Sequence, residues 1–210
     1  DLPSTPGLVG MRTAPEALGP DGRSLQGNIL GWYQVDLPTD TLRLSHSDHR
    51  THPPVDPEEP TAALYASDHP NDAPTLVDRG NWSFVRDDAP DSDEWLLSMP
   101  SGFQPGRIYQ VVYRSAGSTI VGLGMAAVRD IASFLKPAGS DGNPVASAID
   151  HAYAFGRSQC GRFLRQYVHL GLNEDEAGRM ALDGIIAHVA GGMRGEFNLR
   201  FGQPSKDICF

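Results

Sequence analysis

Cysteine is scarce in this sequence, and so are long apolar runs and clusters of basic residues. Its two cysteines, Cys160 and Cys209, are too few for a disulfide framework and lack the spacing of a zinc site. A bridge between them and two free buried thiols are the alternatives. No apolar run approaches the roughly 20 residues of a membrane-spanning helix. The net charge of −9 argues against nucleic acid as the main partner, because phosphate binding needs clustered Lys and Arg.

The length and the distribution of turn residues predict one domain with two portions. A chain of 210 residues suits one sizeable core rather than two full domains. No signal peptide is recognisable, and a first residue of Asp1 rather than Met predicts a processed or trimmed chain. Proline is concentrated in the first half, which predicts a strand- and loop-rich portion over residues 1–105 and a regular α/β portion over residues 106–210.

Short apolar or aromatic runs bounded by turn residues predict strands in the first portion. These runs cover residues 27–35, 61–65, 82–86 and 94–99, and the last three are expected to pair antiparallel. In the second portion, residues 107–114 predict a strand. Residues 122–136 predict a helix whose apolar face carries Leu123, Ala127, Ile131 and Phe134 or Leu135.

The remaining elements predict a β-α-β-α-β order, which implies right-handed crossovers and parallel strands. A short apolar strand at residues 152–155 is followed by a helix that closes at Gly171. Residues 173–182 predict a further short helical piece. The near-continuous apolar pattern of residues 183–190 predicts a strand buried on both faces.

A serine stands where the strand at residues 152–155 meets the following helix, in the segment G-R-S-Q-C-G at residues 156–161. Glycine leaves room beside the serine where a strand reverses into a helix, and the helix start favours developing negative charge. This order is typical of a nucleophile elbow with Ser158 at its tip. The common spacing G-x-S-x-G would place the second small residue at Cys160. An ordinary loop with a capping serine is the alternative.

Three blocks together resemble a known family. They read G-L-G-M-A-A-V-R-D-I-A-S-F-L at 122–135, G-R-S-Q-C-G-R-F-L-R at 156–165 and D-G-I-I-A-H-V-A-G-G-M-R-G-E-F-N-L-R-F-G-Q-P-S at 183–205. They are similar to the α/β-hydrolase-domain family whose elbow reads G-x-S-Q-S-G-R-F-L, with Cys160 where that family usually has Ser. The first half resembles it only loosely. The elbow is also similar to that of the glucuronoyl esterases, which share the spacing G-x-S-x-x-G.

The resemblance implies an α/β-hydrolase-like, mostly parallel sheet with flanking helices and a carboxylic-ester hydrolase with Ser158 as nucleophile. A serine mechanism of this kind needs no metal or organic cofactor. The expected substrate is a small-molecule or carbohydrate-linked ester. In this fold the acid and the histidine follow the serine along the chain. Because the sequence ends at Phe210, soon after the strand beyond the elbow helix, we expect a missing C-terminal segment or a second chain to complete the sheet.

Several residues of the chain itself are candidates for completing a triad. Glu196 follows the last predicted strand and is the favoured acid, while His188 is either a base or a core or partly buried histidine. The weaker candidates are His151, His169 and Asp183, which are expected to lie away from the serine, together with Asp175 and Asp207.

Backbone donors and one arginine are the other candidates for the site. The N–H of Gln159 is the expected oxyanion donor, and Ala116 and Gly117 offer a second donor or an ordinary turn. Arg157 is placed to meet an acidic substrate group, with a surface salt bridge as the alternative.

Two further hypotheses compete with a serine hydrolase. The first is metal-dependent hydrolysis by His46, Asp48, His49 and His52, for which a solvated loop is the default interpretation. The second is a hydrolase-like module without catalysis that serves in binding or assembly.

Overall fold

A computed structural model of the chain describes residues 15–44, 52–90, 92, 94–136, 141–146, 148–192 and 199–202. Contacts divide the chain into two compact units, one of Asp1–Ile120 with Arg200–Phe210 and one of Val121–Leu199. The change of pattern predicted at residue 106 falls inside the first unit. Across the described ranges, no helix has the length and apolar character needed to cross a membrane.

The described part of the first unit consists of strands joined by turns. The strands are β1 (Gln26–Tyr33), β2 (Thr39–Arg43), β3 (Ala63–Ser67), β4 (Thr75–Val77), β5 (Ser83–Arg86), β6 (Trp95–Phe103) and β7 (Ile108–Ala116), and a 3-10 turn lies at Arg79–Asn81. One sheet has the order β1-β7-β3-β4 and the other has the order β2-β6-β5, and every pairing is antiparallel. The antiparallel pairing predicted for the first half is confirmed.

One hydrophobic cluster takes residues from both sheets of the first unit. In β7, Val111 and Tyr113 are buried while Val112 between them is only half-buried, as the alternation of a strand requires. The hydroxyl of Tyr33 donates to the carbonyl oxygen of Leu44 at 2.9 Å inside this core. Burial raises the pKa of Tyr33 well above its ordinary value.

The second unit contains α1 (Leu123–Leu135), β8 (Tyr153–Arg157), α2 (Gln159–His169) and β9 (Gly184–His188). Strands β8 and β9 pair in parallel, with Tyr153 opposite Gly184 and Arg157 opposite His188. A second core forms around Met125, Tyr167 and Leu182. The helix predicted at residues 122–136 is confirmed to within one residue at each end.

The prediction of a mostly parallel sheet is not confirmed, because most strand pairs in the described part of the structure are antiparallel. The strand predicted at residues 107–114 is β7, which pairs antiparallel with β1 and β3 and does not begin a parallel core. The parallel arrangement within the described ranges is the pair β8 and β9. The buried side chains of β7 belong to the core of the first unit, and this burial decides which strands it joins.

The packing faces of two elements also differ from the predictions. Helix α1 buries Met125, whereas Leu123 and Ile131 of the predicted face are 64% and 59% exposed. The helix carries apolar residues on more than one side, so its periodicity does not decide which side meets the core. Strand β9 is not buried on both faces, since Ile186 is 62% exposed.

The short helical piece predicted at residues 173–182 is wrong. The segment forms turns and an isolated bridge between Glu174 and Met180. The carboxylate of Asp175 accepts the backbone N–H groups of Ala177 and Arg179, both at 2.9 Å. A side chain that binds nearby backbone donors in this way competes with helix formation.

Candidate active site

Ser158 joins the end of β8 to the start of α2, and its backbone has φ 54° and ψ −117°. Such a conformation is uncommon for a residue with a side chain and costs about 1–3 kcal/mol. The residue is exposed. The predicted order of strand, serine and helix is confirmed, and the side chain lies at the carboxyl end of a parallel strand, where ligands bind in open α/β sheets.

Residues 156–161, which we call the Ser158 turn, contain two glycines at crowded positions. A Cβ on Gly156 would lie 2.5 Å from the carbonyl oxygen of Cys160, and a Cβ on Gly161 would lie 2.9 Å from that of His188. Both positions therefore exclude larger side chains. The second position that must be small is therefore Gly161, one residue later than in the common spacing G-x-S-x-G. Cys160, which occupies the common position, is exposed and free. The expectation of a buried thiol at Cys160 is wrong, and Cys209 lies outside the described residues.

Hydrogen bonds distinguish the backbone donors of the turn. The N–H of Ser158 donates to the carbonyl oxygen of His188 at 3.0 Å, and the N–H of Arg162 donates to the carbonyl oxygen of Ser158 at 2.9 Å. The N–H groups of Gln159 and Cys160 belong to the first turn of α2, where no intrahelical acceptor exists. Neither has a partner within the described part of the chain.

Arg157 and His188 occupy opposite positions on the exposed face of the β8–β9 pair, directly before the turn and at the end of β9. The imidazole of His188 stacks on the ring of Phe155, with 6.2 Å between centroids and 23° between planes. His188 is exposed at the end of its strand, so the alternative of a core histidine is wrong. Among the contacts of the described residues, none joins this imidazole to the Ser158 hydroxyl.

The other end of the strand pair holds Asp183 and His151, as expected. Asp183 accepts the N–H of Ala152 at 2.8 Å and pairs with the ammonium of Lys136 at 2.9 Å. The pKa of the Asp183 carboxyl is lowered, mainly by the hydrogen bond from the Ala152 N–H and next by the one from Lys136. His151 Nδ1 lies 3.9 Å from the same carboxylate. These groups tie together the amino ends of β8 and β9.

Two other candidates take structural positions. Asp175 holds the turn described above, and hydrogen bonds led by the backbone N–H of Arg179 lower its pKa to about 2. His169 is the last residue of α2, at the opposite end of the helix from Ser158. This position agrees with the prediction from the sequence that His169 lies away from the serine.

Ala116 and Gly117, the predicted source of a second oxyanion donor, belong to the first unit. Ala116 ends β7, and the N–H of Gly117 donates to the hydroxyl of Ser24 at 3.2 Å. That N–H would have to exchange this partner for a substrate oxygen. The role of both residues stays a prediction.

Several candidates lie outside the described residues, namely Glu196, Asp207, His46, Asp48 and His49. The fourth member of the histidine group, His52, accepts the Tyr113 hydroxyl on its carbonyl oxygen at 2.8 Å. Burial lowers the pKa of its imidazole, opposed by a hydrogen bond to the backbone of Gly202. Within the described ranges, no three His, Cys, Asp or Glu side chains cluster as metal ligands do.

Sequence reasoning missed the segment that follows β9. Val189 has φ 42°, and with Ser158 it is one of two non-glycine residues of positive φ in the described part of the chain. No periodicity predicts such a conformation. The available signal was Gly191-Gly192 directly after the strand predicted at residues 183–190, which indicates a sharp change of direction.

The second unit thus has a β-α-β arrangement, with an exposed serine at the carboxyl end of a parallel strand as the candidate site. The chain belongs to the alpha/beta hydrolase domain family, whose model matches residues 66–207, more than half of its length. Membership in this family indicates hydrolase activity. Searches of curated proteins and of solved structures found no match to the chain.

Proposed function

We propose that this protein is a serine hydrolase that cleaves carboxylic esters through an acyl-enzyme on Ser158. The observation that carries the proposal is the backbone of this exposed residue, at φ 54° and ψ −117° between β8 and α2. A serine held in such a conformation by a strand-to-helix turn has the geometry of a nucleophile elbow. Strained backbone conformations of this kind are found most often at functional sites, where the surrounding structure prevents the residue from relaxing.

The start of α2 supports the proposal electrostatically. Attack on a carbonyl carbon places negative charge on the carbonyl oxygen, and this charge needs donors that are already in place. The Ser158 N–H is occupied by His188, whereas the N–H of Gln159 is free in the described part of the chain. The positive end of the helix dipole acts at the same place. We therefore assign the Gln159 N–H as an oxyanion donor.

The proposed reaction proceeds in two halves. A general base takes the proton of the Ser158 hydroxyl while its oxygen bonds to the ester carbonyl carbon. The tetrahedral oxyanion collapses, the ester C–O bond breaks, and the alcohol leaves with the proton from the base. Water then attacks the acyl-enzyme by the same route, which releases the carboxylic acid and restores the serine.

The proposed reaction also needs a general base and an acid that orients it. His188 is the candidate base that we favour, because its carbonyl oxygen accepts the N–H of Ser158, and among the described residues its exposed ring contacts the ring of Phe155. A change of rotamer would be needed to bring the imidazole to the hydroxyl. Glu196 remains the proposed acid, and a second chain is the alternative source of both groups.

Arg157 supports a preference for substrates with an acidic group. Its side chain is exposed beside the turn and has no partner among the described residues. Residues 151–173 contain three arginines (Arg157, Arg162 and Arg165) and no carboxylate. In a chain of net charge −9, this local excess of positive charge would favour an anionic small-molecule or carbohydrate-linked ester.

A fluorophosphonate probe tests the nucleophile directly, because it phosphonylates activated serines. We expect one adduct, located by peptide mass spectrometry on Ser158. Ser158→Ala should abolish the adduct, and Ser101→Ala, at an exposed serine of β6, should retain it. Hydrolysis of p-nitrophenyl acetate should follow the same pattern. A folded protein without an adduct contradicts the proposal and favours the binding or assembly module.

A further inference from the structure

The chain leaves β9 through a strained residue. Val189, the first residue after the strand, has φ 42°. A β-branched residue in this region is a genuine outlier. It lies within a short segment, residues 188–191, which we call the exit loop. The two strained non-glycine residues of the described chain, Ser158 and Val189, thus stand at the ends of neighbouring parallel strands.

The exit loop contacts the Ser158 turn at the backbone. The carbonyl oxygen of His188 accepts the N–H of Ser158 at 3.0 Å. A Cβ on Gly161 would lie 2.9 Å from that oxygen and 3.1 Å from the Cβ of Ala190, so the loop packs closely on the first turn of α2. The hydrogen bond and this packing leave little room for the turn to move away from β9.

Helix α2 holds the far end of the exit loop. The guanidinium of Arg165 donates to the carbonyl oxygen of Gly191. The left-handed corner at Val189 redirects the chain after the strand, and two residues later this carbonyl meets the helix. A charged donor on a backbone carbonyl is stronger than a neutral hydrogen bond. The loop is therefore fixed to α2 near both of its ends.

We infer that Arg165 is a positioning residue for Ser158, acting through the exit loop. A strained backbone persists only where its surroundings over-determine it. The His188 carbonyl supplies one of those constraints at the Ser158 N–H, and Arg165 holds the loop that carries this carbonyl. Without the Arg165 contact the loop moves, the hydrogen bond to Ser158 opens more often, and the serine samples relaxed conformations. The catalytic consequence rests on the proposed function, whereas the structural one does not.

Amide hydrogen exchange at Ser158 tests the structural part, because it reports how often the bond to His188 opens. In Arg165→Met, we expect the Ser158 amide to exchange about fivefold to tenfold faster, the effect of weakening one charged hydrogen bond. Arg165→Lys keeps a charged donor and should restore part of the protection. Arg162→Met removes the same charge one turn earlier on α2 and should leave this amide unchanged. Equal exchange at Ser158 in the wild type and Arg165→Met overturns the inference.

Two substitutions at Val189 test the loop without touching α2. Val189→Pro fixes φ near −65° and forbids the left-handed corner, so the Ser158 amide should lose protection as in Arg165→Met. Val189→Gly allows the corner and should keep exchange near the wild-type rate. Should Arg165→Met fail to fold, this pair decides the question. Equal protection of Ser158 in both variants contradicts the role of the loop.

Phosphonylation kinetics test the catalytic part. We expect Arg165→Met to lower the maximal labelling rate about fivefold with unchanged affinity for an uncharged fluorophosphonate probe, because the lost charge acts on anionic substrates and the substitution disturbs the position of the nucleophile. A purely structural role would leave the maximal rate unchanged in the folded variant. If the wild type is not labelled, the proposed function fails while the exchange comparison still decides the positioning role.

Discussion

Replacing Gly156 by alanine tests the packing that shapes the Ser158 turn. The added Cβ would lie 2.5 Å from the carbonyl oxygen and 2.6 Å from the carbonyl carbon of Cys160. Both are backbone atoms at the start of α2, so no side-chain rotation relieves the contact. The helix start must move from β8 by roughly 0.5 Å, and overpacking of this kind costs about 1–3 kcal/mol. We expect the free energy of unfolding to fall by that amount.

The matched control is Gly124→Ala in α1. No heavy atom lies within 4 Å of a Cβ built at Gly124, and its φ is not positive. Alanine is favoured over glycine in a helix by about 0.5–1 kcal/mol, so this variant should be more stable than the wild type. Urea denaturation followed by the helical signal in far-ultraviolet circular dichroism measures both changes, because α1 and α2 lie in the second unit. An unchanged m-value would show that the unfolded states are comparable.

A second measurement separates the local effect from the global one. If the helix start moves, the Gln159 N–H and the Ser158 hydroxyl move with it. The rate of phosphonylation should then fall in Gly156→Ala under conditions where the variant is fully folded. The steric reasoning is refuted if Gly156→Ala is as stable as the wild type and is labelled at the same rate.

Three other predictions follow from single residues. Ser158→Gly should be about 1 kcal/mol more stable than Ser158→Ala in urea, because glycine adopts φ 54° without a Cβ penalty, and equal stability would show that the turn is unstrained. The pKa of Asp175 is lowered to about 2, so its contribution is fully present above the ordinary carboxyl pKa and is lost as the pH falls toward 2. Asp175→Asn should therefore flatten the loss of stability between about pH 4 and pH 2, and a wild-type slope in this variant contradicts the assignment. Tyr33→Phe leaves the Leu44 carbonyl without its buried donor and should lower the free energy of unfolding by about 1–2 kcal/mol, whereas no change in urea denaturation would show that this bond is not needed.

The conformation of Ser158 depends on the neighbouring strand β9 as well as on its own turn, because β8 and β9 pair in parallel. Ser158 takes its conformation from three neighbours, namely Gly156 on its strand, Gly161 on its helix and His188 on the adjacent strand. The two glycines lie close to the serine in sequence and belong to the motif G-x-S-x-x-G. The third comes from a strand that begins 26 residues further along the chain, at Gly184, and its contact is visible only in three dimensions.

The sequence by itself determined the local features of this protein. The bounds of α1, five strands of the first unit (β1, β3, β5, β6 and β7) and the order of strand, serine and helix around Ser158 follow from side-chain periodicity and from glycine at crowded positions. These are short-range effects, because each depends on residues within one or two turns of chain. The short strands β2 and β4 were not predicted.

The tertiary structure alone decided which elements meet. It pairs β7 with β1 and β3, turns Met125 and not Leu123 of α1 toward the core, and sets the positive φ of Val189 beside the Ser158 turn. The physical reason is that strand partners and packing faces are selected by apolar area buried between distant segments. An amphipathic pattern shows that a face can be buried, but the partner that buries it is a property of the whole fold.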